Sequence, residues 1–171
     1  MNKRLLQGFL WGLVATIAMT LVHFSIWTVE GRLTINNVVT KMMPSNIITR
    51  MFGSGLPVST HLLLAALIHL GYGAFWGAIL FALTKRVTFL KGIAMGAFLY
   101  LGAHIFLSPL LAGRPWARGS LLSWFSIATH FTYGATLGLL GNWQDRTARI
   151  APLEAENPAR QVGTAGRATS H

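Results

Sequence analysis

Residues 60–84 read THLLLAALIHLGYGAFWGAILFALT, a run of 25 residues without lysine, arginine, aspartate or glutamate. About 20 consecutive apolar residues are enough for a helix to cross the roughly 30 Å hydrocarbon core of a bilayer. Three further windows, residues 5–29, 92–113 and 119–144, are equally free of charge. The sequence therefore predicts an all-α membrane protein, a bundle of four transmembrane helices near residues 6–28, 60–84, 90–112 and 120–142.

The overall composition agrees with this class. Hydrophobic residues make up 53% of the 171 residues and charged residues 11%, less than half of the roughly 25% found in soluble domains. The first apolar run is too long for the core of a signal peptide, and no small-residue cleavage site follows it at Trp27-Thr28-Val29-Glu30. We therefore expect this run to be retained as the first span.

Basic residues predict the orientation, because loops on the cytoplasmic side of a membrane are enriched in lysine and arginine. With the N-terminus inside, nine basic residues lie on the cytoplasmic side and five on the other. The cytoplasmic nine are Lys3, Arg4, Lys85, Arg86, Lys91, Arg146, Arg149, Arg160 and Arg167. The outer five are Arg32, Lys41, Arg50, Arg114 and Arg118. Both termini are predicted to be cytoplasmic.

Two regions differ from the spans of the transmembrane domain, residues 1–144. The first outer loop, residues 30–59, has apolar residues at helical spacing before and after Pro44. It predicts two short amphipathic helices, which either lie on the outer leaflet or cover the mouth of the bundle. Residues 145–171 have no apolar period and are rich in Ala, Gly, Arg, Thr and Pro, which predicts a disordered cytoplasmic tail.

An internal repeat links the second and fourth spans. Residues 69–77 and 130–138 share the pattern H-x-x-Y-G-A-x-x-G, and the first and third spans each open with a G-x-x-x-G. This indicates two duplicated hairpins. Small residues let helix backbones approach closely in lipid, where they drive association. The predicted packing positions are Gly8, Gly12, Gly73, Gly77, Gly92, Gly96, Gly134 and Gly138.

Four histidines lie within the predicted spans and are the candidate functional residues of the chain: His23, His69, His104 and His130. Counted at ~1.5 Å per residue, they lie roughly 8–14 Å below the outer boundary, so each span contributes one to a common layer. Neutral imidazoles there act as interhelical hydrogen-bonding groups, as ligands of haem b or a transition metal, or as a proton relay. The space beside His69 and His130, at Gly73 and Gly134, suits either a porphyrin or a neighbouring helix.

Several functions are excluded by what the sequence lacks. It has no cysteine, no Walker loop, no H-E-x-x-H and no G-x-S-x-G, and its four acidic residues all lie outside the spans. The sequence therefore predicts no catalytic residues, and the leading expectation is that the chain binds no cofactor. The net charge of +10 follows membrane topology rather than a basic surface interleaved with aromatics, so nucleic acid is not a predicted partner.

Residues 60–142 resemble the YagU-like family of small bacterial inner-membrane proteins. The resemblance rests on His61 opening the second span, the basic turn at 85–91, Lys91-Gly92-Ile93-Ala94-Met95-Gly96 opening the third, His104 with Ser108-Pro109-Leu110, and His130. The first outer loop departs from the family in length and composition. The resemblance implies a four-span inner-membrane protein without established catalytic activity, with a role in acid tolerance. It implies nothing about cofactors.

The leading interpretation is thus a non-enzymatic inner-membrane protein of an accessory or acid-stress type, with a histidine layer inside the bundle. One alternative is an electron carrier that binds haem b or a metal through His69, His104 and His130. A second is a small transporter, which would need several copies because a single four-span bundle is narrow. The lipid bilayer is the expected partner, together with a homo-oligomer or a larger membrane complex.

Overall fold

The computed structural model of the chain describes residues 3–107, residue 110 and residues 124–155. The predicted outer loop with Arg114 and Arg118, the first residues of the predicted fourth span, and the chain beyond residue 155 lie outside the described residues. All regular secondary structure in the described part is helical, which confirms the all-α prediction.

Six helices follow one another along the described chain. They are α1 (Lys3–Val29), α2 (Ile35–Lys41), α3 (Met43–Phe52), α4 (Val58–Leu83), α5 (Phe89–Leu101) and α6 (Trp124–Ala155). A π-helical segment, Gly102–Leu107, continues α5. Helices α1, α4, α5 and α6 run alternately up and down. The start of α1, the α4–α5 turn and the later part of α6 therefore meet at one end of the molecule. We call this end the turn side and the opposite end the loop side.

Three of the described helices are long and apolar enough to cross a membrane: Lys3–Val29, Val58–Leu83 and Phe89–Phe106. Helix α6 is not among them, because Ser126, Thr129, His130 and other polar residues interrupt its first half. Thr129 and Tyr133 are each only 2% exposed, so part of this polarity faces the neighbouring helices. The described part of the chain is therefore helical and contains three membrane-spanning candidates.

The helices pack as two close pairs, α1 with α4 and α5 with α6, joined through contacts of α1 with α6. In the first pair, a Cβ atom added at Gly8 would lie 2.5 Å from the Gly77 carbonyl oxygen, and one at Gly12 would lie 2.5 Å from that of Gly73. No side chain fits at such distances. The backbones of α1 and α4 therefore touch at the four predicted glycines.

The second pair uses the equivalent glycines. A Cβ atom at Gly134 would lie 2.5 Å from the Gly92 carbonyl oxygen, and one at Gly138 would lie 2.8 Å from that of Phe89. A Cβ atom at Gly96 would collide with the backbone of His130. All eight predicted glycines thus lie in close helix contacts. The duplication of the hairpins as such remains a prediction.

A polar cluster ties three segments together at the turn side. Asp145 accepts hydrogen bonds from Arg4 Nη1 (3.1 Å) and from the backbone N–H of Val87 (2.7 Å). Arg4 also donates to the carbonyl oxygen of Thr84 at 3.0 Å. Trp11 Nε1 donates to Gln144 Oε1 nearby. Helix α6 continues through this cluster to Ala155, so residues 145–155, which the sequence assigned to the tail, are helical.

The first outer loop contains two short helices, α2 and α3. Thr34 caps α2 by accepting from the backbone N–H of Asn37 at 3.1 Å. The chain is extended at Met42, and Pro44 lies in the first turn of α3, where a missing N–H costs no helical bond. Helix α3 packs on α4 and buries Ser45 and Ile48. Helix α3 is therefore packed against α4, and its position relative to the outer leaflet remains a prediction.

Candidate functional site

The four predicted histidines lie on four different helical elements in the loop-side half of the molecule. His23 is on α1, His69 on α4, His104 in the π-helical segment and His130 on α6. His130 lies within electrostatic range of the other three, and His23 within range of His69 as well. The structure thus brings the predicted layer together as one group of neighbouring imidazoles, which we call the histidine layer.

Its most closely packed part contains His104 and His130, whose ring centroids lie 6.1 Å apart. Ser126, on α6, contacts both: its hydroxyl forms a hydrogen bond with His104 Nε2, and its carbonyl oxygen lies 2.8 Å from His130 Nδ1. The Tyr100 ring packs edge to face on His130 at 5.6 Å and tilted on His104 at 4.7 Å. The geometry requires His130 Nδ1 to carry the proton it donates to the Ser126 carbonyl.

His104 reaches this position from a widened turn of helix. Gly102–Leu107 is π-helical, which inserts an extra residue per turn and rotates the side chains that follow. Such segments are frequent at functional sites. A regular α-helical continuation of α5 would change the direction of the His104 side chain relative to Ser126. The sequence contained no signal for this segment other than Gly102, which a bulge tolerates.

His69 forms a second polar pair with Thr20 of α1. The His69 Nε2 and Thr20 Oγ1 atoms lie 3.1 Å apart, while Thr20 also donates to the Thr16 carbonyl oxygen at 2.8 Å. With its proton so engaged, the Thr20 oxygen accepts from His69 Nε2–H. In the repeat, His69 corresponds to His130, and each histidine lies four residues before the first glycine of a close helix contact, Gly73 or Gly134.

His23 has aromatic rather than polar neighbours. Its ring lies 4.5 Å from that of Trp27 and 4.4 Å from that of Phe125, in edge-to-face geometry. Its Nε2 atom is buried and has no hydrogen-bond partner among the described residues. Unpaired buried nitrogens are rare because each costs free energy. His23 is therefore the member of the histidine layer whose hydrogen bonding the described protein does not satisfy.

The fit of haem or a metal depends on whether space and ligands are present. The helix faces at Gly73 and Gly134 are filled, because Gly73 packs against Thr16 and Gly134 against Gly92 and Gly96. A porphyrin therefore has no room at these two glycines. Among the described residues, no three His, Asp or Glu side chains are arranged to hold a metal ion. His69, His104 and His130 also already bond to Thr20 or Ser126. The described residues therefore provide no space for haem at the two glycines and no three-ligand set for a metal.

Among the described residues, no carboxylate lies within ion-pair distance of a histidine of the histidine layer. Glu30 pairs with Arg32 at 2.9 Å, and Asp145 pairs with Arg4 at the turn side. A protonated imidazole in this layer would therefore find hydroxyl and carbonyl oxygens but no described counter-ion. Ser126 was not predicted from the sequence, because it lies in no motif and is recognisable only from its spacing of four residues from His130.

Comparisons of the chain with protein-family models, with curated proteins and with solved structures found no match.

Proposed function

We propose that this chain is a non-enzymatic membrane protein of the bacterial inner membrane, with four spans and both termini in the cytoplasm, that responds to acid through its histidine layer. The observation that carries the proposal is the His104–Ser126–His130 group. Two protonatable rings lie 6.1 Å apart between helices, with a shared serine and no described carboxylate beside them. Ionisable groups at such depth are functional candidates in membrane proteins.

The physical reason for an acid response is like-charge repulsion. Histidine is the side chain whose charge changes most readily between about pH 5 and 8. If both rings of the pair carry a proton, two positive charges face each other across α5 and α6, where little water screens them. His130 Nδ1 is already a donor, so Nε2 is the atom that gains the second proton. Repulsion then favours separation of α5 from α6.

The alternative is that the same histidines serve only as hydrogen-bonding groups between helices and do not respond to acid. Conservative variants distinguish this structural role from the acid response. His130→Asn can still donate from its amide to the Ser126 carbonyl oxygen, and His104→Gln can still reach the Ser126 hydroxyl. Neither amide takes up a proton in this range. The double variant therefore keeps the hydrogen bonds and removes the charge.

We expect acid to loosen wild-type protein in lipid nanodiscs and not the double variant. Between about pH 7.5 and pH 5, the wild-type melting temperature should fall by about 3 °C or more, which corresponds to roughly 1 kcal/mol in a domain of this size. His104→Gln with His130→Asn should fold and reduce that fall at least by half. His61→Gln, a replacement outside the histidine layer, should keep the wild-type response.

The measurement is thermal unfolding at several pH values with all proteins in the same lipid. A wild-type melting temperature that does not change with pH would refute the acid response. An equal decrease of the melting temperature in wild type and double variant would show that the acid response does not depend on His104 and His130. Failure of the conservative double variant to fold, while His61→Gln folds, would favour the purely structural role.

A further inference from the structure

A cavity of about 610 Å³ lies between the loop-side halves of α1 and α4, and residues 33–45 close it on a third side. Gly12 and Gly73 hold the two helices in backbone contact, and Phe24 of α1 and Leu62 of α4 line the cavity towards the loop side. The wall is almost wholly apolar.

The opening of the cavity is rimmed by apolar side chains that are themselves exposed. Ile17 and Leu21 line the cavity and are 50% and 62% exposed. Leu67, on the adjoining face of α4, is 58% exposed. Both helices are membrane-spanning candidates, and such side chains on a spanning helix face hydrocarbon. A molecule that enters the cavity along this face comes from the bilayer.

The cavity has one unsatisfied polar group, the hydroxyl of Ser45 on α3. Ser45 lines the cavity and is 0% exposed, and its Oγ atom has no hydrogen-bond partner in the described part of the chain. Because the Oγ atom itself has almost no accessible surface, a ligand oxygen would meet it after a rotation of the Ser45 side chain about χ1. The hydrogen bond would then recover the free energy that the unpartnered hydroxyl costs. At the other end, His69 and Thr20 already bond to each other. The ligand therefore needs a hydrogen-bonding oxygen at its α3 end and hydrocarbon elsewhere.

We propose that this cavity binds one acyl chain of a membrane phospholipid, with the ester carbonyl accepting a hydrogen bond from Ser45 and the chain running towards His69. The volume falls within the roughly 300–1,000 Å³ typical of small-molecule pockets. The orientation leaves the headgroup at the loop-side surface. Lys41, one residue before the cavity-lining Met42, is exposed there and supplies a cation near the lipid phosphate.

The test uses full-length protein in phosphatidylcholine nanodiscs that contain a phosphatidylcholine with a photoreactive diazirine in one acyl chain. After irradiation, peptide mass spectrometry locates the labelled residues. We expect labelling on the cavity wall, including Ala65 and His69. Ala66 lines the cavity but is exposed, so Ala66→Phe fills the space without disturbing a core contact. It should reduce labelling of the wall by about tenfold or more, the factor expected when a bound chain is displaced at modest free-energy cost.

The matched control is Leu67→Phe, which adds the same ring one residue further along on the lipid-facing side and should leave wall labelling unchanged. Ser45→Ala should weaken it by about threefold, because the ester loses its partner. Equal wall labelling in Ala66→Phe and Leu67→Phe would overturn the site. Undiminished labelling in Ser45→Ala would overturn the proposed orientation. Labelling by a diazirine fatty acid but not by the phospholipid would overturn the identity of the ligand.

Discussion

Leucine at Gly134 should prevent stable association of α5 with α6, and leucine at Gly73 should do the same for α1 with α4. A Cβ atom at Gly134 would lie 2.5 Å from the Gly92 carbonyl oxygen. That neighbour is backbone, which cannot rotate away. Overpacking costs about 1–3 kcal/mol even where side chains can adjust, so we expect a loss at or above the upper end of that range.

The matched control is Gly71→Leu, on the same helix as Gly73 and two residues away. A Cβ atom there would meet nothing within 4 Å, so this variant should melt at the wild-type temperature or slightly above it. Thermal unfolding in detergent, read by size-exclusion chromatography after heating, compares the three. Equal melting of Gly71→Leu, Gly73→Leu and Gly134→Leu would contradict the role of close backbone contact.

Removal of the Asp145 carboxylate should destabilise the turn side of the bundle. Asp145→Ala removes the carboxylate that accepts hydrogen bonds from Arg4 Nη1 at 3.1 Å and from the backbone N–H of Val87. Hydrogen bonds to charged groups contribute about 1.5–3 kcal/mol, and partial exposure of Arg4 reduces its share. We expect a loss of about 2 kcal/mol, and a smaller one for Asp145→Asn, which still accepts from Val87.

The second described ion pair provides the control. Glu30 and Arg32 are two residues apart and their side chains are 31% and 51% exposed, so Glu30→Ala should change stability by less than about 1 kcal/mol. Thermal unfolding of Asp145→Ala, Asp145→Asn and Glu30→Ala gives the ranking. Equal melting of the Asp145 and Glu30 variants would show that Asp145 does not join the three segments.

The glycine contacts were predictable from the sequence because they depend on a local property. A G-x-x-x-G presents two bare positions on one helix face whatever the partner is, and all eight glycines occupy such contacts. The hairpin repeat groups the same spans that the structure pairs, but which residues meet across each contact was not predictable. The structure pairs α1 with α4 and α5 with α6, whereas α4 and α5, joined by the short turn at residues 84–88, are not a close pair.

The position at which α6 ends was not predictable from the local sequence pattern. Asp145 is the first charged residue after a long apolar run, which resembles the start of a tail. Its bonds to Arg4 and Val87 come from residues 141 and 58 positions away. No property of the local sequence predicts these long-range hydrogen bonds.

For the histidine layer, equal depth along the spans predicted proximity, since depth follows from helical rise alone. The partners depend on helix rotation, which sequence spacing does not determine. Ser126 lies one turn before His130 and meets His104 only because the π-helical segment brings that ring to α6. The cavity was not predictable either, because residues from α1, α4 and the segment 33–45 line it together.

The proposed intramembrane histidine layer requires that α6 cross the membrane, since α6 carries both Ser126 and His130. Alkaline phosphatase fusions after residues 115 and 150 test this crossing, since this enzyme is active only in the periplasm. We expect activity at 115 and none at 150, with the reverse pattern for a reporter active in the cytoplasm. Equal activity at both positions would show that α6 does not cross, and would contradict an intramembrane histidine layer.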